Sequence, residues 1–459
     1  MGALLGACAK GGVETPPPTP DAAADVRADA GPVCVPGCAD GVLRTCAPET
    51  EVPCDLGCNA GGFACRTLVP SNGAVAAQLD GVTASIQVPA DGLVLISSDT
   101  GLILDGDTNE VRPAGEGVLG GIGFYDGGQG TAVVAVDELI IGRNGFLSAV
   151  GSNALIILSA GDVIIEGLVD VSAVACLDDV NQELSRCGGV GGGDGALVST
   201  EDAGGCAAGG NGNGAADPTP GDETGGGGGG LGGNGAPGGT AGDSTAPGAG
   251  GDVTAACPGS DLRPLRGGSG GGAGGISNAE GEGGGAGGGG GGALQITSLS
   301  RIAVVGSPGQ FVQGILASGG GGGAGVFTTG GGGGGSGGGI LLEAPAIEIT
   351  SVVIAANGGG GGGADGPDGD NNGEPDVVGT AGEAGRFDST QASGGNGIHS
   401  GGLGGALAGE ATPGAGGGDA TGGGGGGAGI IRFNVPAAGL RIEGSTISPA
   451  HTRVDPGAE

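Results

Sequence analysis

Short apolar runs separated by glycine set the rhythm of this chain. One island, at 154–173, reads ALIILSAGDVIIEGLVDVSA, and AVVAVDELIIGRNGFLSAVG precedes it at 132–151. Further copies stand at 340–358 (ILLEAPAIEITSVVIAANG) and 430–449 (IIRFNVPAAGLRIEGSTISP), with a looser one at 293–319. Each island holds two or three β-branched stretches broken by Gly, Asn, Asp or Pro. Within them apolar residues alternate, as in Val163/Ile165, Val169/Val171 and Ile347/Ile349. Alternation at period two predicts strands with one face in and one face out. Three short strands in about 20 residues make one rung of a solenoid. A single rung buries nothing, whereas stacked rungs pair edge to edge and share a thin aliphatic core. The expected fold is all-β, a right-handed parallel β-helix of the pectin-lyase-like kind. Similar but weaker strands at 74–131 are read as first rungs or a cap.

Glycine runs leave the rungs at nearly one phase, after the third strand and before the next first strand. The expected insertions are 176–292, 319–339 and 358–429, all from one corner, with rungs at 74–175 and 293–449 and a C-terminal tail at 450–459. Two states fit such glycine runs. One is disorder, because glycine loses the most backbone entropy on folding. The other is a packed bundle of extended glycine strands bonded backbone to backbone.

Composition sharpens this picture. Glycine and proline make up 126 and 25 of 459 residues, without the Gly-X-Y period of collagen. Tryptophan is absent and only eight Phe and Tyr rings are present, so a broad conventional core is hard to fill, whereas thin β layers of Ala, Val, Ile and Leu are not. With 14 basic and 49 acidic residues the formal charge is −35, which repels nucleic acid and anionic lipid alike. No apolar run of 18 residues is present to span a membrane as a helix.

The N-terminus reads MGALLGACAK, and Leu5-Gly6-Ala7-Cys8 matches a bacterial lipobox, making Cys8 the expected lipidation site. Residues 1–8 form only part of a signal, lacking a basic n-region and most of an apolar h-region, and the expected translation start is upstream. Residues 9–33 read as a Pro-rich tether. Six cysteines then crowd into 34–66: Cys34, Cys38, Cys46, Cys54, Cys58 and Cys65. So short a segment cannot bury a core, and three disulfides are the natural staple, with the pairing open. Zinc competes, but the spacings are CxxxC and no histidine is near. Cys176, Cys187, Cys206 and Cys257 are expected to form two more bridges within the first glycine-rich insertion.

Chemistry is sparse. His399 and His451 lack ligand partners in sequence and are read as solvated. In DGPDGDNNGEPD, at 365–376, Asp368, Asp370 and Asn372 precede Gly373 like the opening of a calcium loop, with Asp376 a further oxygen donor. Position twelve is Gly379 where an EF-hand has a bidentate Glu, so calcium is the one cofactor the chain suggests, weakly bound, and an acidic solvated turn is the plain alternative. Glu138, Glu166, Asp170, Glu343 and Glu348 are outer-face carboxylates that a carbohydrate-active lyase or hydrolase would need in pairs. Solubility is their simpler role.

The lipobox, the six-Cys module, the VPSNG that follows it at 69–73, the LIILSAGDVIIEG-type rungs and the polyglycine together carry a resemblance. Nearly the whole chain resembles the glycine-rich surface lipoproteins that social, gliding Gram-negative soil bacteria encode in many copies. The glycine portion is similar to the PGRS repeats of mycobacterial surface proteins, without a PE-type helical domain. The resemblance implies an outer-membrane, lipid-anchored, surface-exposed protein. Its role would be non-enzymatic, structural or adhesive, with membrane lipid and surface polysaccharide or matrix as partners. A carbohydrate-active enzyme and a calcium-dependent adhesion module are the alternatives.

Overall fold

The structure is a computed structural model. It describes residues 34–39, 42–46, 49–54, 65, 67–174, 187–212, 223–242, 245–257, 261–276, 284–307, 312–326, 328–366 and 378–456. Among them the molecule is nearly all β, with a single helical turn at Val253–Ala256 besides two short 3-10 turns.

Three parallel sheets carry the fold, and the chain visits them in strict rotation. Sheet 1 takes Thr131–Val136, Ala154–Ser159, Ala293–Ser298, Gly339–Glu343, Ile430–Asn434 and Thr452–Val454 as parallel neighbours. The last of these is a correction: residues 450–459, read from sequence as a tail, contribute a strand to the sheet. Sheet 2 stacks Ile86–Val88, Leu139–Ile141, Val163–Ile165, Arg301–Val305, Ala346–Thr350 and Leu440–Glu443. Sheet 3 continues each circuit with Leu93–Ser97, Phe146–Val150, Leu168–Asp170, Gly314–Leu316, Val353–Ala355 and Thr446–Ser448.

Register aligns like with like from circuit to circuit. In sheet 1, Val134, Ile157, Ile296, Leu342 and Phe433 form one inward rank. Ile86, Leu139, Val163, Ile302, Ile347 and Leu440 do so in sheet 2. Val94, Leu147, Val169, Ile315, Ile354 and Ile447 form the rank of sheet 3. These ranks meet in one continuous aliphatic core. Each such side chain contributes about 1.5–3 kcal/mol by leaving water. In four circuits the corner between sheets 2 and 3 turns on a left-handed residue: Asp91, Asn144 and Ser351 at φ near 57–58°, and Gly444 at 59°. Asn and Asp tolerate that conformation best among non-glycine residues. Asn144 Nδ2 also donates to Asp91 Oδ1 across 3.0 Å, linking successive turns.

Sheet 2 and the first three strands of sheet 3 show the expected alternation; in the rest of sheet 3 Leu316, Ala355 and Ser448, beside the inward rank, are buried too, and sheet 1 does not alternate. All six residues of Thr131–Val136, Ala154–Ser159 and Ala293–Ser298 are buried. A strand covered on both faces reads as an unbroken apolar run. Its outer face packs against a second cluster in which Leu231, Leu262 and Leu265 of the first glycine-rich insertion meet Val133, Ile156, Leu158 and Leu341.

The described parts of the glycine-rich segments form one hydrogen-bonded bundle. The strand 421–429 lies at its centre, and its hydrogen bonds recur every third residue. Thr421, Gly424 and Gly427 donate to Glu223, Gly226 and Gly229 and accept from Gly331, Gly334 and Gly337. Gly422 and Gly425 donate to Ala415 and Thr412 and accept from Gly239 and Ala236. Gly423 and Gly426 donate to Gly362 and Gly359 and accept from Gly402 and Gly405. Six neighbouring strands therefore satisfy the peptide groups of one, at N···O distances of 2.8–3.1 Å for these bonds. A three-residue period without internal bonds is the geometry of an extended threefold helix. Cβ atoms have no room in this lattice. At the rim the rule relaxes to one glycine in three: in 378–385, Gly379, Gly382 and Gly385 face inward, whereas Val378, Ala381 and Ala384 are exposed. The bundle starts where sheet 3 ends, with Gly292 donating to Val171 and Gly338 to Ala317, and so leaves from one corner.

The opening end is closed differently. Ile103–Asp105, Glu110–Arg112, Gly117–Leu119 and Ile122–Gly128 add to sheets 3 and 1 as antiparallel hairpins. Arg112 is fully buried inside this cap. Its guanidinium donates to the carbonyls of Gly101, Pro113, Gly115, Gly117 and Ile122 and lies 5.4 Å from the centre of the Phe124 ring. Desolvation lowers its pKa below the usual arginine value. Separately, Gly37–Ala39, Val42–Cys46 and Glu49–Pro53 make a small antiparallel sheet.

Candidate functional site

The described cysteines are disulfide-bonded. Cys34 pairs with Cys46, Cys54 with Cys65, and Cys206 with Cys257, the last closing a 51-residue separation in the first insertion. Cys38 and Cys187 are in disulfides as well. The sulfurs of Cys38, Cys54 and Cys65 lie within 4.8 Å of one another. They are bridge sulfurs rather than thiolates, so zinc has no ligands there. Cys8, Cys58 and Cys176, and the calcium-loop residues Asp368, Asp370, Asn372 and Asp376, lie outside the described residues.

The five candidate carboxylates divide among the three sheets. Glu343 belongs to sheet 1, Glu348 to a strand of sheet 2 and Asp170 to sheet 3, while Glu138 and Glu166 flank strands of sheet 2. Glu348 sits 3.3 Å from Arg441. Both histidines depart from the solvated reading. His399 Nδ1 is 2.7 Å from the Ala420 carbonyl oxygen, and His451 lies against Phe433 with ring centres 4.8 Å apart. Burial lowers the His451 pKa. Between adjacent circuits, hydrogen bonds from Ser300 and then Arg301 hold the Asp162 carboxyl below its ordinary value.

Glu343 is the most elaborate site. Alternation points it outward from sheet 1, yet it is 1% exposed, because the segment after the six-Cys module covers it. Ser71 donates to it from both its amide (3.0 Å) and its hydroxyl (2.6 Å). Gln295 Nε2 and Thr297 Oγ1 each donate at 2.9 Å, and Asn434 Nδ2 at 2.6 Å. Two guanidiniums stand one residue behind. Arg263 donates to the Ser71 hydroxyl at 2.8 Å, and Arg432 to Asn434 Oδ1 at 2.8 Å. Burial, with Arg263 nearby, lowers the Arg432 pKa. A carboxylate with five donors has no lone pair left for proton transfer, and such a network fixes geometry.

Ser71 and Asn72 belong to VPSNG, so this motif is a docking element. Its segment runs as a strap across the outer face of sheet 1. Thr67, Leu68 and Val69 lie beside Val454, Asp455 and Pro456 of the last circuit, around a cavity of about 80 Å³. Asn72 donates to Gln295 Oε1 and the Leu262 carbonyl and accepts from the Leu265 amide. Gly73, at φ 84°, abuts Gly127, and Ala74 packs with Val133 near the first circuit. A second cavity of about 350 Å³ opens beside the strap between Asn72, Gln129, Thr131 and Arg263. The sequence offers VPSNG as a motif only; the partners of Ser71 come from 192 to 272 residues away.

Replacing Glu343 by Gln turns one acceptor into a donor facing donors. We expect a loss of about 2 kcal/mol, the scale of a hydrogen bond to a buried charge. Faster proteolytic nicking within 67–74 should accompany the shift in denaturant midpoint. No family model, no curated protein and no solved structure matches this chain.

Proposed function

We propose that the protein is a right-handed parallel β-helix carried on the outer membrane by a lipid at Cys8, with a structural or adhesive role at the cell surface. The strand rotation through three parallel sheets supports the β-helix. The observation that carries the role is the bundle: the described backbones of three long insertions bond to one another in one block attached along a corner of the sheets. Such a block offers broad contact area while using little side-chain chemistry. Of the carboxylates that a glycan-cleaving enzyme would pair, Asp170 and Glu343 lie on other sheets than the remaining three, Glu348 pairs with Arg441, and Glu343 is consumed by the strap. Protease shaving of intact cells, with the released peptides identified by mass spectrometry, tests the reading. Peptides from 130–459 are expected in the supernatant. Their release only after lysis would contradict surface exposure and leave a periplasmic scaffold.

A further inference from the structure

The strap reverses the polarity that chain order suggests. The first circuit follows the six-Cys module in sequence, yet Thr67 to Val69 lie at the last circuit, beside Val454, Asp455 and Pro456. From there the chain crosses sheet 1 by way of Glu343, in the fourth of its six parallel strands, and then Gln295 in the third. It reaches Gly127 and Val133 at the opening end only by Gly73 and Ala74. The N-terminal part of the protein therefore enters the three-sheet body at its closing end.

Charge is divided along the same axis. The antiparallel cap, 99–126, carries six acidic residues against Arg112, which is buried. In the last circuit, 430–456, Arg432 is buried and Arg441 and Arg453 pair with its two acids, Glu443 and Asp455, so its surface is close to neutral in a chain of net charge −35. The six-Cys segment 34–65 is itself acidic, four acids to Arg44, so the contrast lies between the two ends of the body. An anionic surface repels the cap more than the last circuit.

We infer that the body stands with its last circuit toward a lipid surface and its Arg112 cap and first circuit outward. This rests on the lipid-anchor reading. The face turned to the bilayer is the closing end, brought there by the N-terminal anchor and less repelled by anionic lipid than the cap is. Sheet 1 has eight strands at about 4.8 Å spacing, so the two ends are roughly 35 Å apart, beyond the reach of contact quenching.

The full chain, lipidated at Cys8, is to be bound to vesicles of phosphatidylethanolamine and phosphatidylglycerol that carry nitroxide headgroups. One clickable residue, labelled with the same fluorophore, replaces either Thr108 in the cap or Ala438 in the last circuit; both positions are exposed. Several-fold stronger quenching at Ala438 than at Thr108 is expected. Equal quenching, or stronger quenching at Thr108, in protein that floats with the vesicles would overturn the orientation alone. Protein that does not float overturns the anchor reading and the orientation with it.

Discussion

Substituting Gly425 with valine is expected to destabilise the protein by about 3 kcal/mol or more, at or beyond the top of the usual range for overpacked interiors. A Cβ at this position would overlap the carbonyl oxygen of Leu403, and that oxygen is part of the backbone lattice and cannot rotate away. Gly425 also donates to Thr412 and accepts from Ala236, so a shift that relieves the overlap breaks bonds to two further strands. Ala381→Val is the matched control. Ala381 lies in the rim strand 378–385 with its side chain exposed, and surface changes of this kind stay within about 0.5 kcal/mol. Chemical denaturation of both variants reads the contrast. Equal effects would mean that strand 421–429 is not enclosed.

Arg112→Met is expected to cost about 4 kcal/mol. The volume is roughly kept, so the loss comes from five carbonyls that lose one shared donor; each orphaned buried acceptor costs about 1–3 kcal/mol, reduced where water can enter. Arg112→Lys should recover only part of this, because an ammonium has three donors and no planar fork. Hydrogen exchange should locate the damage: amides of 103–128 lose protection first, while those of the last circuits keep it. A uniform loss of protection would contradict a local capping role.

The sequence reveals the repeat well wherever one sheet face meets water. Val163/Ile165 and Ile347/Ile349 alternate because the outer face of sheet 2 is partly open to water at these strands. It is less telling at sheet 1, where ALIIL is buried on both sides by parts of the chain far away in sequence. The single corner for the glycine-rich insertions is legible from their phase. Their order is not, because a glycine run has the same composition whether disordered or packed; what decides is the mutual fit of segments such as 223–230, 330–338 and 421–429. A weak signal was available in 378–385, where non-glycine residues spare every third position. Arg112 gives no cue, being one arginine in a turn-rich stretch. Glu343 looks like any outward residue of an alternating strand until Ser71 covers it. The six-Cys segment is legible as a disulfide module because its length excludes a core.

Central to this account is that the glycine-rich segments are folded into one bundle on the three-sheet body. Native-state hydrogen exchange measured across 421–429 and 154–159 tests it most directly. The amides of Gly422 to Gly427 are expected to be protected to the same degree as those of Leu155 to Leu158, opening only with the body as a whole. Exchange of those glycine amides at the rate of an unstructured chain, while Leu155 to Leu158 stay protected, would contradict it.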